Sequence, residues 1–113
     1  AHVNALRLGD FAWSRREPRD GEYDFGWLDR YLDLAHRKGL SVLLIPPLRC
    51  PPAWLFNQGR GMAIVNEGGV ALGFGSRYTF CINHGLLRRK GLELASRMAE
   101  RYARHPALVG WHL

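Results

Sequence analysis

The sequence is short of cysteine: Cys50 and Cys81 are the two present in 113 residues. One pair cannot supply the disulfide framework of a small secreted scaffold, and it leaves the redox compartment open. Long apolar runs are also missing. None approaches the roughly 20 residues of a membrane-spanning helix, so no membrane partner is expected. No low-complexity tract is present, and with 47% hydrophobic and 23% charged residues the chain reads as folded rather than disordered. There is no initiator methionine and no signal-peptide pattern. The chain opens AHVNAL, with Val3 and Leu6 already strand-like. That reads as a piece of something longer, so the lack of a targeting segment says little. The GFGSR stretch has no following Lys-Ser/Thr, which leaves a phosphate-binding loop unsupported.

Positive charge, by contrast, is plentiful. The net charge is +6 and the pI about 10.0. The arginines are spread over helix faces and loops rather than gathered in one tract. Solvated faces explain that pattern, and no nucleic-acid partner is expected.

Periodicity gives an order of elements. Residues 3–9 read as a strand. The loop 10–24 holds the turn formers Pro18, Asp20 and Gly21, and Asp24 is a candidate N-cap. A helix follows, with Trp27, Leu28, Tyr31, Leu32, Leu34 and Ala35 as its apolar stripe and Asp29, Arg30, Asp33 and Arg37 opposite. Lys38 and Gly39 supply a cationic last turn and a stop. LSVLLI, residues 40–45, is a strand without alternation, as expected where both faces are covered. Residues 46–85 show no clean periodicity but are rich in aromatics and glycine; loops of this length are usually functional. A second helix spans about 86–104, with Leu87, Gly91, Leu94, Ala95, Met98 and Tyr102 as its stripe. His105-Pro106 stops it, and residues 108–113 read as a third strand. The resulting β-α-β-loop-α-β order predicts an α/β fold with parallel strands. Three strands and two helices are too few to close a barrel, so a sheet edge and an apolar face should stay uncovered.

Sites in such folds cluster at the carboxyl ends of the strands. Asp10 stands at the end of the first strand, and Glu17 and Glu67 lie in loops on that side. Asp29, Asp33, Glu93 and Glu100 fall on helices and read as solvated. A retaining glycosidase needs two carboxyl groups about 5 Å apart, and no convincing pair is present. Arg77, among Gly75, Tyr78 and Phe80, suits a hydroxyl-rich or anionic ligand, although composition alone favours a surface or packing role. Trp13, Trp54 and Trp111 could offer flat surfaces to sugars or simply fill the core. Cys81 and His84 form C-x-x-H, which can begin a metal site, yet a structural zinc needs four ligands; Cys50 is a third only if the fold brings it close, and spacing alone favours a buried or free thiol.

Four stretches carry a resemblance: LRLGDFAWSRREPRDGEYDFGWLD (6–29), PPAWL (51–55), GFGSR with its following Cys (73–81), and AERYARHPALVGWH (99–112). Together, and in this order, they resemble the N-terminal catalytic domain of family-42 glycoside hydrolases, the bacterial β-galactosidases. Family-35 enzymes and β-amylases, which share the barrel, fit the first run less well. The resemblance implies a (β/α)8 TIM barrel, of which residues 1–113 would be a fragment holding about the second to fourth strand units. It implies retaining hydrolysis of terminal β-D-galactosides in a cytoplasmic, homotrimeric parent. It assigns Arg77 to the sugar at the scissile bond and Cys81 to a structural zinc whose other cysteines come from a later segment. The general acid would be the Glu of an Asn-Glu pair beyond the GWH strand, and the nucleophile a Glu further on, so neither is in this sequence. Two places depart from the family pattern. Ile82-Asn83-His84-Gly85 stands where Pro-Asn-Ser-Pro is common, and PPLRCPP, with Arg49 and Cys50, replaces a Thr/Ala-rich run. The reading in a different class is a non-catalytic carbohydrate- or anion-binding α/β module.

Overall fold

In the computed structural model, residues 2–75 and 78–113 are described. Three strands, β1 (Ala5–Leu8), β2 (Ser41–Leu44) and β3 (Leu108–Trp111), form one sheet in the order β1-β2-β3. Both pairings are parallel. Leu6 lies beside Val42 and Leu8 beside Leu44, while Val42 and Leu44 face Leu108 and Trp111 across an irregularity at Val42/Leu43. Among the described residues four helices complete the order: α1 (Trp13–Arg16), α2 (Gly26–Arg37), α3 (Ala53–Gln58) and α4 (Gly85–Tyr102).

The two long helices sit where periodicity placed them. Leu28, Leu32 and Ala35 of α2 share one core with Leu87, Leu94, Met98 and Tyr102 of α4 and with Val42 and Leu44 of β2. Both helices therefore cover the same sheet face, the one bearing Val42 and Leu44. Two stripe members depart from expectation: Tyr31 and Leu34 are exposed, because the buried arc of α2 is narrower than its apolar spacing suggests. α2 ends as a Schellman motif. Gly39 takes a φ of +68°, and the N–H groups of Leu40 and Gly39 return to the carbonyls of Ala35 and His36 at 2.9 and 3.0 Å. At its start the helix begins at Gly26, after Phe25 rather than Asp24. The Asp24 carboxylate still serves the first turn, accepting the Gly26 N–H at 2.9 Å.

LSVLLI predicted two covered faces, and β2 has one. Val42 and Leu44 are 0% exposed, whereas Leu43 between them is 38% exposed and Val109 on β3 is 63% exposed. Arg7, Leu43 and Gly110 share a register row on that open face. A Cβ at Gly110 would stand 3.1 Å from Leu43 Cδ2, so the glycine makes room for Leu43.

The segment 46–85 is more ordered than its lack of periodicity predicts. The prolines of PPAWLF lead into α3, with Pro52 as its N-terminal flank and Gly59 at its end. Isolated antiparallel bridges join Ala63 to Phe80 and Val65 to Ala71. Asn66 Oδ1 closes the tip by accepting the N–H groups of Gly68 and Val70 at 3.0 and 2.9 Å. Four- and six-residue helices are too short to leave a 3.6-residue signal, and for that reason α1 and α3 went unforeseen.

Most of the helical acids expected to be solvated are paired. Asp29 accepts from Arg101 Nε at 2.8 Å and from Tyr102 Oη at 2.7 Å. Those bonds, the Arg101 one foremost, hold its carboxyl below the usual range. Asp33 meets His105 at 3.3 Å and Glu93 meets Lys90 at 3.5 Å.

Candidate functional site

The parallel strands all end on one side, where three connections meet: residues 9–12 after β1, residues 45–52 after β2, and His112-Leu113 after β3. Asp10, Pro46, Leu48, Arg49 and His112 line a small concavity there, about 100 Å3 in volume. A second cleft of about 260 Å3 is lined by Phe11, Phe56, Phe74 and Phe80 with Ser14, Cys50 and Thr79. One recess thus carries charge and hydrogen-bonding groups, and the neighbouring one carries aromatic faces. That combination suits a hydroxyl-bearing ligand with an apolar side.

His112, which lines the polar recess, links it to the open sheet face. Arg7 points away from the helices and brings Nη1 to 3.4 Å from His112 Nδ1, joining β1 to the end of β3. Periodicity alone gave Arg7 no role. The available signal was a cation on a strand whose alternate residues, Leu6 and Leu8, face the core. Asp10 is half-buried and its Oδ1 accepts the Phe11 N–H at 3.2 Å. No second carboxylate lines its concavity, so among the described residues Asp10 has no partner for a two-carboxylate mechanism.

Glu17 does not belong to the mouth. It is fully buried, with Oε2 accepting Trp13 Nε1 at 2.9 Å and Oε1 accepting the Gly21 N–H at 3.0 Å. Its carbonyl accepts Trp54 Nε1 at 3.0 Å. Glu17 therefore ties α1, its loop and α3 together. The same bonds answer the question of the tryptophans: Trp13 is core and Trp54 is anchored beside it, while Trp111 is partly buried against the core. Glu67 is exposed near the hairpin tip.

Behind the mouth lies a buried cation. Arg16 is 0% exposed. Its Nη1 donates to the Ile45 carbonyl at 3.1 Å and approaches Met98 Sδ at 3.4 Å, whereas Nε and Nη2 lack a hydrogen-bond partner. Burial lowers its pKa to about 10. Gly9 makes this possible. At φ +105° it is bare toward the guanidinium, and a Cβ there would collide with Arg16 Nη2 and come within 2.8 Å of the Ile45 carbonyl.

Two non-glycine residues at the mouth adopt left-handed backbone, Phe11 at φ +56° and Tyr78 at φ +58°. That conformation costs about 1–2 kcal/mol and persists only where surroundings enforce it. At Tyr78 one such constraint is visible: Arg49 Nη1 donates to the Tyr78 hydroxyl at 2.9 Å, and the guanidinium lies 5.6 Å from the ring centre.

Arg77 lies outside the described residues. Cys81 does not. Its N–H donates to the Met62 carbonyl at 2.7 Å and its carbonyl accepts the His84 N–H at 3.0 Å. Cys50 and Cys81 form no disulfide with each other. His84 Nε2 meets the Arg60 carbonyl at 3.2 Å. Among the described residues no three His, Cys, Asp or Glu side chains gather into a metal-binding group, so Cys50, Cys81 and His84 do not make a zinc centre by themselves.

Comparison with known proteins agrees with this architecture. The chain is 41% identical to β-galactosidase BgaB of Geobacillus kaustophilus over its whole length, spanning 17% of that protein. It is 37% identical to β-galactosidase GanA of Bacillus subtilis, again over its whole length and 17% of the relative. Among solved structures, Gan42B, a family-42 β-galactosidase from G. stearothermophilus, superposes with a TM-score of 0.93 at 39% identity, over 98% of this chain and 16% of that one. The β-galactosidase of the psychrophilic Marinomonas ef1 gives a TM-score of 0.93 at 38% identity, over 97% of this chain and 17% of its own. The sequence model of the family-42 β-galactosidases matches residues 1–113. The chain therefore belongs to the family-42 glycoside hydrolases, the β-galactosidase family.

Proposed function

We propose that residues 1–113 are part of the (β/α)8 catalytic barrel of a retaining β-galactosidase, contributing about its second to fourth strand units. In this reading the mouth described above is one wall of the site that binds terminal β-D-galactosides. Arg7, Arg77 and His112 face the sugar, and Asp10 is a supporting group. The general acid and the nucleophile lie on segments that follow Leu113. The observation that carries the reading is the match to β-galactosidases over the whole chain, joined to a polar recess and an aromatic cleft at the carboxyl end of a parallel sheet, where barrel enzymes work. A pure binding module has no observation in its favour beyond the missing acid pair.

The wall can bind and orient. Cationic side chains such as Arg7 donate to sugar hydroxyls and fix the orientation of the ring for the carboxylates supplied elsewhere. The test is hydrolysis by the full-length protein. It should release nitrophenol from a nitrophenyl β-galactoside far faster than from the β-glucoside, and residues 1–113 alone should release none. Measurable turnover by 1–113, or a full-length protein indifferent to the sugar, would overturn the assignment.

Cys81 fits a role as one thiolate ligand of a structural zinc completed by later residues. Among the described residues no three potential ligands gather around it, which leaves one ligand rather than a set. A bound zinc would hold the loop after residue 80 in place and take no part in the chemistry. Metal analysis should find zinc in the full-length protein and lose it in Cys81→Ser; equal zinc in both would remove Cys81 from the site. A cytoplasmic, trimeric parent belongs to the same reading. No helix among the described residues is long and apolar enough to cross a membrane.

A further inference from the structure

We propose that Arg16 is a positioning residue: from inside the core it fixes the two strand ends that form the floor of the polar recess, and it does so at the expense of stability. The inference rests on the reading of that recess as part of a sugar wall and adds a buried residue to it. Arg16 closes α1 and is fully buried. A guanidinium out of water calls for an anion and for partners to its five N–H donors. The neighbouring acid does not answer, since the Glu17 carboxylate is taken by Trp13 and Gly21. Nε and Nη2 of Arg16 have no hydrogen-bond partner, and the Trp27 ring, centred 5.6 Å from the guanidinium carbon, is a weaker substitute for an anion. Packing alone favours an apolar side chain in such a place.

What the guanidinium does hold is the end of the sheet. In a parallel ladder the N–H and the carbonyl of one residue turn to the same neighbouring strand. Ile45 turns to β1, its N–H donating to the Leu8 carbonyl at 2.9 Å, while the Leu44 carbonyl accepts the His112 N–H of the β3 side at 3.0 Å. Had β1 run on, the Asp10 N–H would meet the Ile45 carbonyl. The chain turns away at Gly9, with φ +105°, and Arg16 Nη1 supplies the donor instead, at 3.1 Å. Nη2 of the same group fills the space that Gly9 leaves bare. One side chain therefore braces the last residue of the β2 ladder and the turn after β1. Asp10, Ile45 and Pro46 all line the polar concavity, so Arg16 sets the spacing of its walls from behind.

The test compares Tm and kcat/KM on a nitrophenyl β-galactoside for variants of the full-length enzyme. Arg16→Met keeps an unbranched chain and removes every donor. It should lower kcat/KM about tenfold, through misplaced walls, while its Tm stays at or above that of wild type, because an unpaired buried charge is gone. Arg16→Lys keeps a donor for the Ile45 carbonyl. It should be at least about threefold more active than Arg16→Met yet melt at a lower temperature, since a buried ammonium is harder to desolvate than a guanidinium. Activity and stability thus rank the variants in opposite orders, which a residue serving the fold alone would not produce. Arg16→Gln, an uncharged donor, replaces Arg16→Lys if the lysine variant does not fold. If Arg16→Met loses Tm and activity together, keeps wild-type kcat/KM, or matches the donor-bearing variant in activity, the positioning role is overturned. If the wild-type protein leaves the β-galactoside uncut, the sugar-wall reading fails and this inference with it.

Discussion

The two faces of the sheet come from the same twelve strand residues, yet they meet opposite surroundings. On one face Val42 and Leu44 are sealed beneath α2 and α4, in a core that reaches from Trp13 to Tyr102. On the other, Arg7, Leu43 and Gly110 lie in a row with no layer over them among the described residues. The covered face is complete in its own terms: apolar side chains interlock, and Asp29 is matched by Arg101 and Tyr102. The open face carries apolar strand residues beside a cation that reaches His112. An isolated domain gains nothing by exposing Leu43 and Val109. A sheet that curves around a shared interior does, because further strands cover that face and the cation then points into the interior.

Substitutions on adjacent residues of β2 sharpen this contrast, and they carry the largest expected effect. Leu44→Ala empties a fully buried site and should cost about 3 kcal/mol of stability. If further strands cover the open face in the full-length protein, Leu43→Ala should cost a similar amount there. The exposed position of Leu43 in residues 1–113 gives the contrary expectation, a cost under about 0.5 kcal/mol. Denaturant unfolding of both full-length variants decides between them, and a silent Leu43→Ala would break the barrel reading. Residues 1–113 by themselves should be poorly soluble, since β1 and β3 are both open edges; a monodisperse sample with a cooperative melt would contradict that.

The same contrast explains what could be read from the sequence. The helices of the covered face announced themselves through local signals: stripe spacing for α2 and α4, Lys38-Gly39 as a stop, Asp24 near the start. The strand order followed, because alternating β and α segments leave few topologies. Information carried by distant partners was not legible. Asp29 looked solvated because its partners, Arg101 and Tyr102, lie more than 70 residues away. Glu17 looked like a mouth acid because nothing in EPRDG shows that Trp13 and Trp54 close over it. Arg7 was passed over although its position opposite Leu6 and Leu8 was informative. LSVLLI was read correctly as a strand, but its lack of alternation speaks of a second cover that these residues do not supply. The role of Arg77 came from resemblance to a family, not from spacing, and Arg49 emerged from geometry, since a departure from a family pattern does not by itself say what the new residue touches.

The smallest effect belongs to the tie that joins the two helices on the covered face. Asp29→Asn keeps the shape but removes the charge that Arg101 grips with two nitrogens. The pair is partly open to solvent, with side chains 30% and 50% exposed, so the loss should be about 1–2 kcal/mol at neutral pH, less than a buried pair would show. The pH dependence tests the cause. In the folded chain the Asp29 carboxyl titrates below its ordinary value, chiefly because Arg101 donates to it. A carboxyl with a depressed folded pKa adds stability that is fully present above its unfolded pKa, about 3.9, and is lost as pH falls through the folded value. The gap in Tm between wild type and Asp29→Asn should therefore stay constant from about pH 8 to pH 5 and close below about pH 4. A gap that persists into acid would mean that Asp29 acts through packing against Tyr102 rather than through its charge. The helices would then be held by shape alone, and the covered face would owe nothing to the ion pair that distinguishes it from the open one.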